Sequence, residues 1–273
     1  METNPTTNAL ARDRVLEKQL AASIVAGPVA PRHPPPKIGG HIYAFQRVSS
    51  TMEIAHALAA EGVPEGTLVW ALRQEQGRGR LGRTWVSPKG GVYLSLILRP
   101  NRTPAAIPQL SLVCGLSVAE AIHELSGLYP SIRWPNDVLI NGLKLCGILV
   151  EARAGAVVVG IGVNVTTNLN KLPEGATSLV VAGAPGCDFS RLTGVLCRRF
   201  EKWYDAWTVQ GFTSIRQALR PWMGHFGQPV QISTGTQTFE GTASDLDESG
   251  RLLVRLDSGV LRAFDVGEVT LLR

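Results

Sequence analysis

From residue 41 to residue 165 the chain alternates short β-branched apolar runs with amphipathic stretches. HIYAFQRV, TLVWALRQ (67–74), GGVYLSLILRP (90–100), SIRW, DVLI, LCGILVEAR and AVVVGIGVNV read as strands. Ser50-Thr51-Met52-Glu53 has the form of a capping box, which predicts a helix with Ser50 as N-cap and an end near Gly62. Pro108 to Leu125 places Leu112, Leu116, Ala119 and Ile122 on one helical face, and 190–207 and 213–222 read as helices packed through Phe200, Trp203, Tyr204 and Trp207. Asn141-Gly142 between two apolar runs is a hairpin signal of the mirrored-turn type. After Gly227 the texture changes to five short strands at regular spacing, QPVQIS, QTFEGTAS, RLLVRLD, GVLRAFD and EVTLLR, which predict a small β-barrel of about fifty residues. Residues 9–25 suit a helix, and Ala30 to Lys37 reads as a polyproline linker. The pattern therefore predicts an α+β protein: an extension and Pro-rich linker over 1–37, a mixed sheet flanked by helices over 38–222, and a barrel over 223–273.

A chain of 273 residues that is 44% hydrophobic and 18% charged has the material for about two folded domains. Its best membrane candidate, AAIPQLSLVCGLSVAEAI, is interrupted by Pro108, Gln109 and Glu120, and METNPTTNALARDR lacks the charged and apolar regions of a secretory signal. A cytoplasmic protein without a membrane partner is expected. Cys114, Cys146, Cys187 and Cys197 lie far apart in mostly apolar contexts and form no C-x-x-C pair, so reduced, buried thiols are expected. The net charge of +5 suits either a nucleic acid or a small anionic substrate, and the position of the charge has to decide between them.

The densest positive charge lies in Gly77-Arg78-Gly79-Arg80-Leu81-Gly82-Arg83-Thr84-Trp85. Glycines let the backbone approach a ligand, and guanidinium groups offer forked donors to phosphate or carboxylate. Placed between two apolar strands, this is an anion-gripping loop rather than a basic tail. It also spells G-x-x-x-x-G-R-T, but Arg83 stands where a P-loop has lysine, and a strand follows where a P-loop requires a helix. Gly160-Ile161-Gly162 lacks the third glycine of a dinucleotide fingerprint. Gly127 occupies the second-ligand position of a zinc helix after His123-Glu124, and the five histidines form no cluster. In Arg133-Trp134-Pro135-Asn136-Asp137 the acid lies seven residues before Lys144, and the hairpin between them returns acid and amine toward one site. Asn164, at the end of GIGVNV, carries an amide suited to an adenine edge.

GRGRLGRTW, RWPNDVLI, KLCGILVE and GIGVNV occur in the order and spacing of biotin protein ligases, and the chain resembles that family from about residue 41 to its end. The resemblance implies a catalytic domain similar to that of class II aminoacyl-tRNA synthetases over 38–222 and an SH3-like barrel over 223–273. It implies a two-step reaction in which biotin and ATP, with magnesium, form biotinyl-5′-adenylate, and a lysine of a biotin carboxyl carrier domain then takes the biotin. In those terms Ser50, Thr51 and Gln74 match positions that bind the ureido ring, and Met52 lies beside them. Arg78, Gly79 and Arg80 match the loop that closes over biotin and the adenylate, and Lys144 matches the lysine that contacts the biotin carboxylate and the α-phosphate. Asp137 matches the acid that holds the metal or orients the carrier lysine, and Asn136 supports the turn. Trp85 and Asn164 match positions near adenine. Arg83 adds positive charge, and adenylation needs no base because biotin is already a carboxylate at neutral pH.

Three positions depart from the family's commonest pattern. Met52 replaces a frequent asparagine, either removing a polar contact or packing in the first turn of the helix; Arg133 replaces a lysine; and Cys146 replaces a smaller residue. The 37 residues ahead of the predicted domain are too few for a winged helix-turn-helix, so a ligase without operator binding is expected, as a monomer or a homodimer. Two other readings stand beside this one. One is a lipoate or octanoate ligase or transferase of the same superfamily, and the other is a basic nucleic-acid-binding module built on the barrel.

Overall fold

The computed structural model describes residues 11–25, 37–235 and 237–272. Asn141 and Gly142 both adopt left-handed backbone conformations, with φ of 51° and 78°, which a mirrored two-residue turn requires. They fold β5 (Asp137–Ile140) back onto β6 (Leu143–Arg153). Around this hairpin lie β1 (Ile42–Phe45), β2 (Leu68–Ala71), β3 (Gly91–Leu98), β4 (Ser131–Arg133) and β7 (Ala156–Asn164). The seven strands form one sheet in the order β1-β2-β3-β7-β6-β5-β4. Only the β1–β2 pair is parallel; the other pairs are antiparallel, so the sheet is mixed.

Helices α1 (Arg14–Val25), α3 (Gln109–Ser126), α4 (Phe189–Gln210) and α5 (Phe212–Leu219) share one apolar core with the sheet. Helix α3 is apolar nearly all round because it is enclosed between the sheet and α4, with Leu110, Leu112, Leu116 and Ile122 buried. Among the described helices, the opposite face of the sheet carries α2 (Thr51–Ala60), whose Met52, Ile54, Ala55 and Leu58 pack on Val69, Ala71, Ile97 and Val158. Because α2 covers only part of this face, the ends of β6 and β7 beyond it stay open for the site.

The start of α2 differs from the predicted capping box. Ser50 is the N-cap residue with extended backbone, but its hydroxyl caps nothing and is buried without a partner. Glu53 accepts instead from Ser49 Oγ at 3.1 Å, and the Thr51 amide is satisfied by Gln74 Oε1 at 2.9 Å. A side chain from the segment after β2 thus replaces the local cap and ties the helix start to that segment. In the predicted N-terminal helix, Asp13 Oδ1 accepts from the amides of Val15 and Leu16, so the described helix begins at Arg14; residues 9 and 10, and 30–36 of the predicted linker, lie outside the described residues.

Five antiparallel strands follow, β8 (Pro229–Ser233), β9 (Thr238–Leu246), β10 (Leu252–Leu256), β11 (Leu261–Phe264) and β12 (Glu268–Leu271), in the order β11-β10-β9-β8-β12. They adjoin the same apolar core and are tied to the part of the chain built on the seven-stranded sheet by polar contacts: Trp134 Nε1 donates to Gly250 O at 3.0 Å, and Asp245 accepts from Arg216 of α5 and from Arg220 just after it.

Helix α1 comes close to α4 at Gly194, where an added Cβ would lie 2.2 Å from the Ser23 carbonyl oxygen. That contact is with backbone and cannot yield. Gly194→Ala is therefore expected to loosen α1 and lower stability by about 1–3 kcal/mol, read as a fall in the urea midpoint and faster amide exchange over residues 14–25.

Candidate active site

Antiparallel pairing sets Gly147 of β6 opposite Gly162 of β7, and Leu149 opposite Gly160. Side chains alternate across a strand, so 147, 149 and 151 of β6 share a face with 158, 160 and 162 of β7, on the α2 side. Glycine clears this floor. The Trp85 ring lies on it, since a Cβ at Gly162 would meet the indole at 2.3 Å and one at Gly147 would meet it at 2.8 Å. A Cβ at Gly160 would fall 2.6 Å from Met52 Sδ, so Met52 is both buried first-turn packing and part of the cavity wall. The cavity above has a volume of about 310 Å³.

The arginine loop forms a short closed hairpin along one side. Trp85 N donates to Gly77 O, Gly79 N donates to Arg83 O, and Arg78 bridges Thr84. At the tip Leu81 is exposed in the left-handed region, with φ 56°. Each arginine has its own anchor. Arg78 donates to Glu151 Oε2 at 3.0 Å, Arg80 donates to Asn136 Oδ1 at 2.9 Å, and Arg83 pairs with both carboxylate oxygens of Glu268 at 2.6 and 3.0 Å. Burial holds the Arg80 guanidinium below its ordinary pKa, against the opposing pull of Asp137 and Glu268. Asn136 also donates to Ile148 O, so it links the loop to β6.

Lys144 reaches the same cavity because of a register shift between Val138 and Leu139 of β5. The extra residue lets Leu145 and Cys146 both enter the apolar core, while Lys144 and Gly147 face the site. Lys144 Nζ lies 2.7 Å from Asp137 Oδ1 and 5.4 Å from the Trp85 ring centre. Arg133 donates to the other Asp137 oxygen at 2.7 Å. Burial pushes the Cys146 thiol up, so it packs as a protonated small hydrophobe rather than a nucleophile.

The cavity thus brings together Thr51, Met52, Gln74, Arg78, Gly79, Arg80, Arg83, Trp85, Asn136, Asp137 and Lys144. Gln74 Oε1 accepts from both the amide and the hydroxyl of Thr51, and its Nε2 donates to Ser87 Oγ. Two expected residues are placed differently. Ser50 lies behind the wall, fully buried, and Asn164 is buried with its Nδ2 committed to Thr177 O at 3.0 Å. The Asn164 backbone also accepts from Leu179 N, while Lys144 exchanges backbone bonds with Gly175 and Thr177. Asn164 therefore secures the segment that brackets Lys144 rather than presenting its amide to the cavity. Sequence reasoning missed Gly267, Glu268 and Thr270, which form a wall from the barrel, and the Glu151 carboxylate that holds Arg78. Glu151 ends the KLCGILVE motif, which was the available signal for it; nothing local marks Glu268.

A glycine floor and convergent cations on a mixed sheet place the chain in a class that the comparisons identify: residues 44–168 match the biotin/lipoate A/B protein ligase family. Residues 225–272 match the biotin protein ligase C-terminal domain. The bifunctional ligase/repressor BirA of Bacillus subtilis is 38% identical over 237 residues, covering 83% of this chain and 73% of that protein. The biotin–[acetyl-CoA-carboxylase] ligase of Paracoccus denitrificans is 37% identical, covering 70% of this chain and 85% of that one. Among solved structures, a biotin protein ligase from Aquifex aeolicus in complex with biotin and ATP superposes with a TM-score of 0.76 at 31% identity, over 86% of this chain and 99% of that one. The chain belongs to the biotin protein ligase family.

Gly162→Ala puts a methyl group where the indole lies, and is expected to displace Trp85 and block the floor. Biotin affinity measured by calorimetry should fall at least tenfold, while circular dichroism stays unchanged.

Proposed function

We propose that this protein activates biotin with ATP and passes it to a lysine of a biotin carboxyl carrier domain. Residues 38–222 serve as the catalytic unit, and 223–273 as a barrel that supplies one cavity wall. The observation that carries the proposal is the convergence of Arg78, Arg80, Arg83, Arg133 and Lys144 on one glycine-floored cavity that two carboxylates, Asp137 and Glu268, line, with Glu151 paired to Arg78 behind it.

In the first step a biotin carboxylate oxygen forms a bond to the α-phosphorus of ATP, and the bond to the bridging oxygen breaks to release pyrophosphate. Attack of one anion on another requires positive charge already in place. Lys144 and Arg80 supply that charge where the carboxylate meets the phosphate, and Arg83 lies further out. Thr51 and Gln74 form the polar end suited to the ureido ring, with Ser50 buried behind them, and the apolar body of biotin lies along Met52 and Trp85. Lys144 Nζ stands over the Trp85 ring, so the amine and the indole form one wall.

Both Asp137 oxygens face cations, and among the described residues no group of three or more His, Cys, Asp or Glu side chains converges as a metal site. The acidic set does not fit a resident magnesium ion, so magnesium enters as part of the ATP complex, bound to the phosphates. This geometry favours Asp137 as the group that orients amines over Asp137 as a metal ligand. In the second step the carrier lysine nitrogen bonds to the acyl carbon, AMP leaves with the bonding electrons as its phosphate dianion, and the proton lost by the amine passes to solvent or to the Asp137 carboxylate. Asp137 already holds one amine, Lys144 Nζ, at 2.7 Å, which suits it to orient a second. The acid anhydride is sensitive to water, and the closed arginine hairpin screens it.

Magnesium-dependent ATP–pyrophosphate exchange tests the reading, with biotin, lipoate, octanoate and no acid in parallel; exchange with biotin alone is expected. Lipoate- or octanoate-dependent exchange would transfer the protein to the sister ligases. Lys144→Ala should lower adenylate formation by about 10²–10³-fold, measured in a single turnover. Arg80→Ala breaks the tie to Asn136 and should release biotinyl-AMP to solution, seen as free adenylate in a spin-filtered reaction.

A further inference from the structure

Glu151 lies on the site face of β6, and a single one of its oxygens receives three donors. Oε2 is 2.9 Å from His56 Nε2, 3.0 Å from an Arg78 terminal nitrogen and 2.8 Å from an Arg153 terminal nitrogen. His56 comes from α2, Arg78 from the substrate loop and Arg153 from β6 itself, so three separate parts of the chain meet at one atom. This is not a solvated surface pair. The side chains of His56, Glu151 and Arg78 are 10%, 22% and 30% exposed, against 66% and 43% for Arg83 and Glu268.

Arg78 lines the cavity, and one of its terminal nitrogens is held by Glu151. Its Nε is buried and has no partner, so the guanidinium still has a donor unsatisfied. A buried N–H without an acceptor is costly, and an anionic oxygen supplied by a bound ligand relieves that cost. Arg78 stands between Gly77 and Gly79, which do little to restrict its backbone. Pinning one end of a planar group fixes the direction of its other N–H bonds.

We infer that Glu151 is a positioning residue for Arg78, held in its working rotamer by His56, and that the pair pre-orients the guanidinium toward the carboxylate–phosphate junction of the reacting ligands. The inference rests on the proposed biotin adenylation at this cavity. Burial, with Arg153 and Arg78 alongside, lowers the His56 pKa against the raising effect of its Glu151 contact. The imidazole therefore donates as a neutral group and does not compete electrostatically with Arg78 for the carboxylate.

The test is a double-mutant cycle in biotin-dependent pyrophosphate exchange with the full chain: wild type, Arg78→Ala, Glu151→Gln and the double variant. Glu151→Gln is expected to lower kcat/KM for biotin about tenfold when Arg78 is present and by less than about twofold when it is absent, at an unchanged melting temperature. An equal loss in both backgrounds, or no loss in either, overturns the inference. Full exchange by Arg78→Ala overturns it together with the assigned role of Arg78, whereas absence of biotin-dependent exchange in the wild type is the separate failure of the proposed function. His56 gives an independent arm should Glu151→Gln fold poorly. His56→Leu should lose several-fold in kcat/KM, and His56→Gln, which keeps an N–H donor, should recover to within about twofold of wild type; equal behaviour of the two variants overturns the role of His56.

Discussion

The pairing of β6 with β7 is the constraint on which the site depends. It sets Gly147 against Gly162, and two facing positions without side chains make a floor on which a flat ring system can lie. The same strand delivers Lys144 near one end and Glu151 near the other, seven residues apart and on one face because of the bulge between them. A slip of one residue would turn all of them into the apolar core. Such a slip is opposed by Ile148, Ile161, Val159 and Val163 on the other face, buried against α3 and its neighbours. The packing of the core thus enforces the chemistry of the opposite face.

Charge is the second organising influence. The cations needed for adenylation would repel one another if left unpaired, and the structure gives each a counterpart on a different element: Asn136 and Asp137 on the β5 hairpin, Glu151 on β6 and Glu268 in the barrel. These partners differ in burial, and so in what they contribute. The exposed Arg83–Glu268 pair adds little to stability and serves to bring the barrel to the loop. The Asp137 contacts lie where water is scarcer and fix Lys144 and Arg133 more firmly.

Much of the fold was legible because local signals and tertiary demands agree. The Asn141-Gly142 turn, the five C-terminal strands and helix α3 follow from turn chemistry and hydrophobic period alone. The capping box at Ser50 was the exception. Its signal is local, but Gln74, distant in sequence, satisfies the Thr51 amide and leaves the Ser50 hydroxyl free. Asn164 shows the same limit from the other side, since an amide suited to an adenine edge is instead committed to the Thr177 carbonyl beside Lys144.

By itself the sequence determined which residue types would gather at one cavity: the glycine-spaced arginines, the WPND acid, and the lysine that follows the hairpin. Spacing along a chain suffices for that, because hairpins and loops act over a few residues. Only the tertiary structure decided what holds each of those groups. The carboxylate anchoring Arg83 arrives from a barrel more than a hundred and eighty positions away, and His56 meets Glu151 across ninety-five. Hydrogen bonds and ion pairs at 3 Å depend on how helices and sheets pack, and no periodicity in the chain records contacts made over such separations.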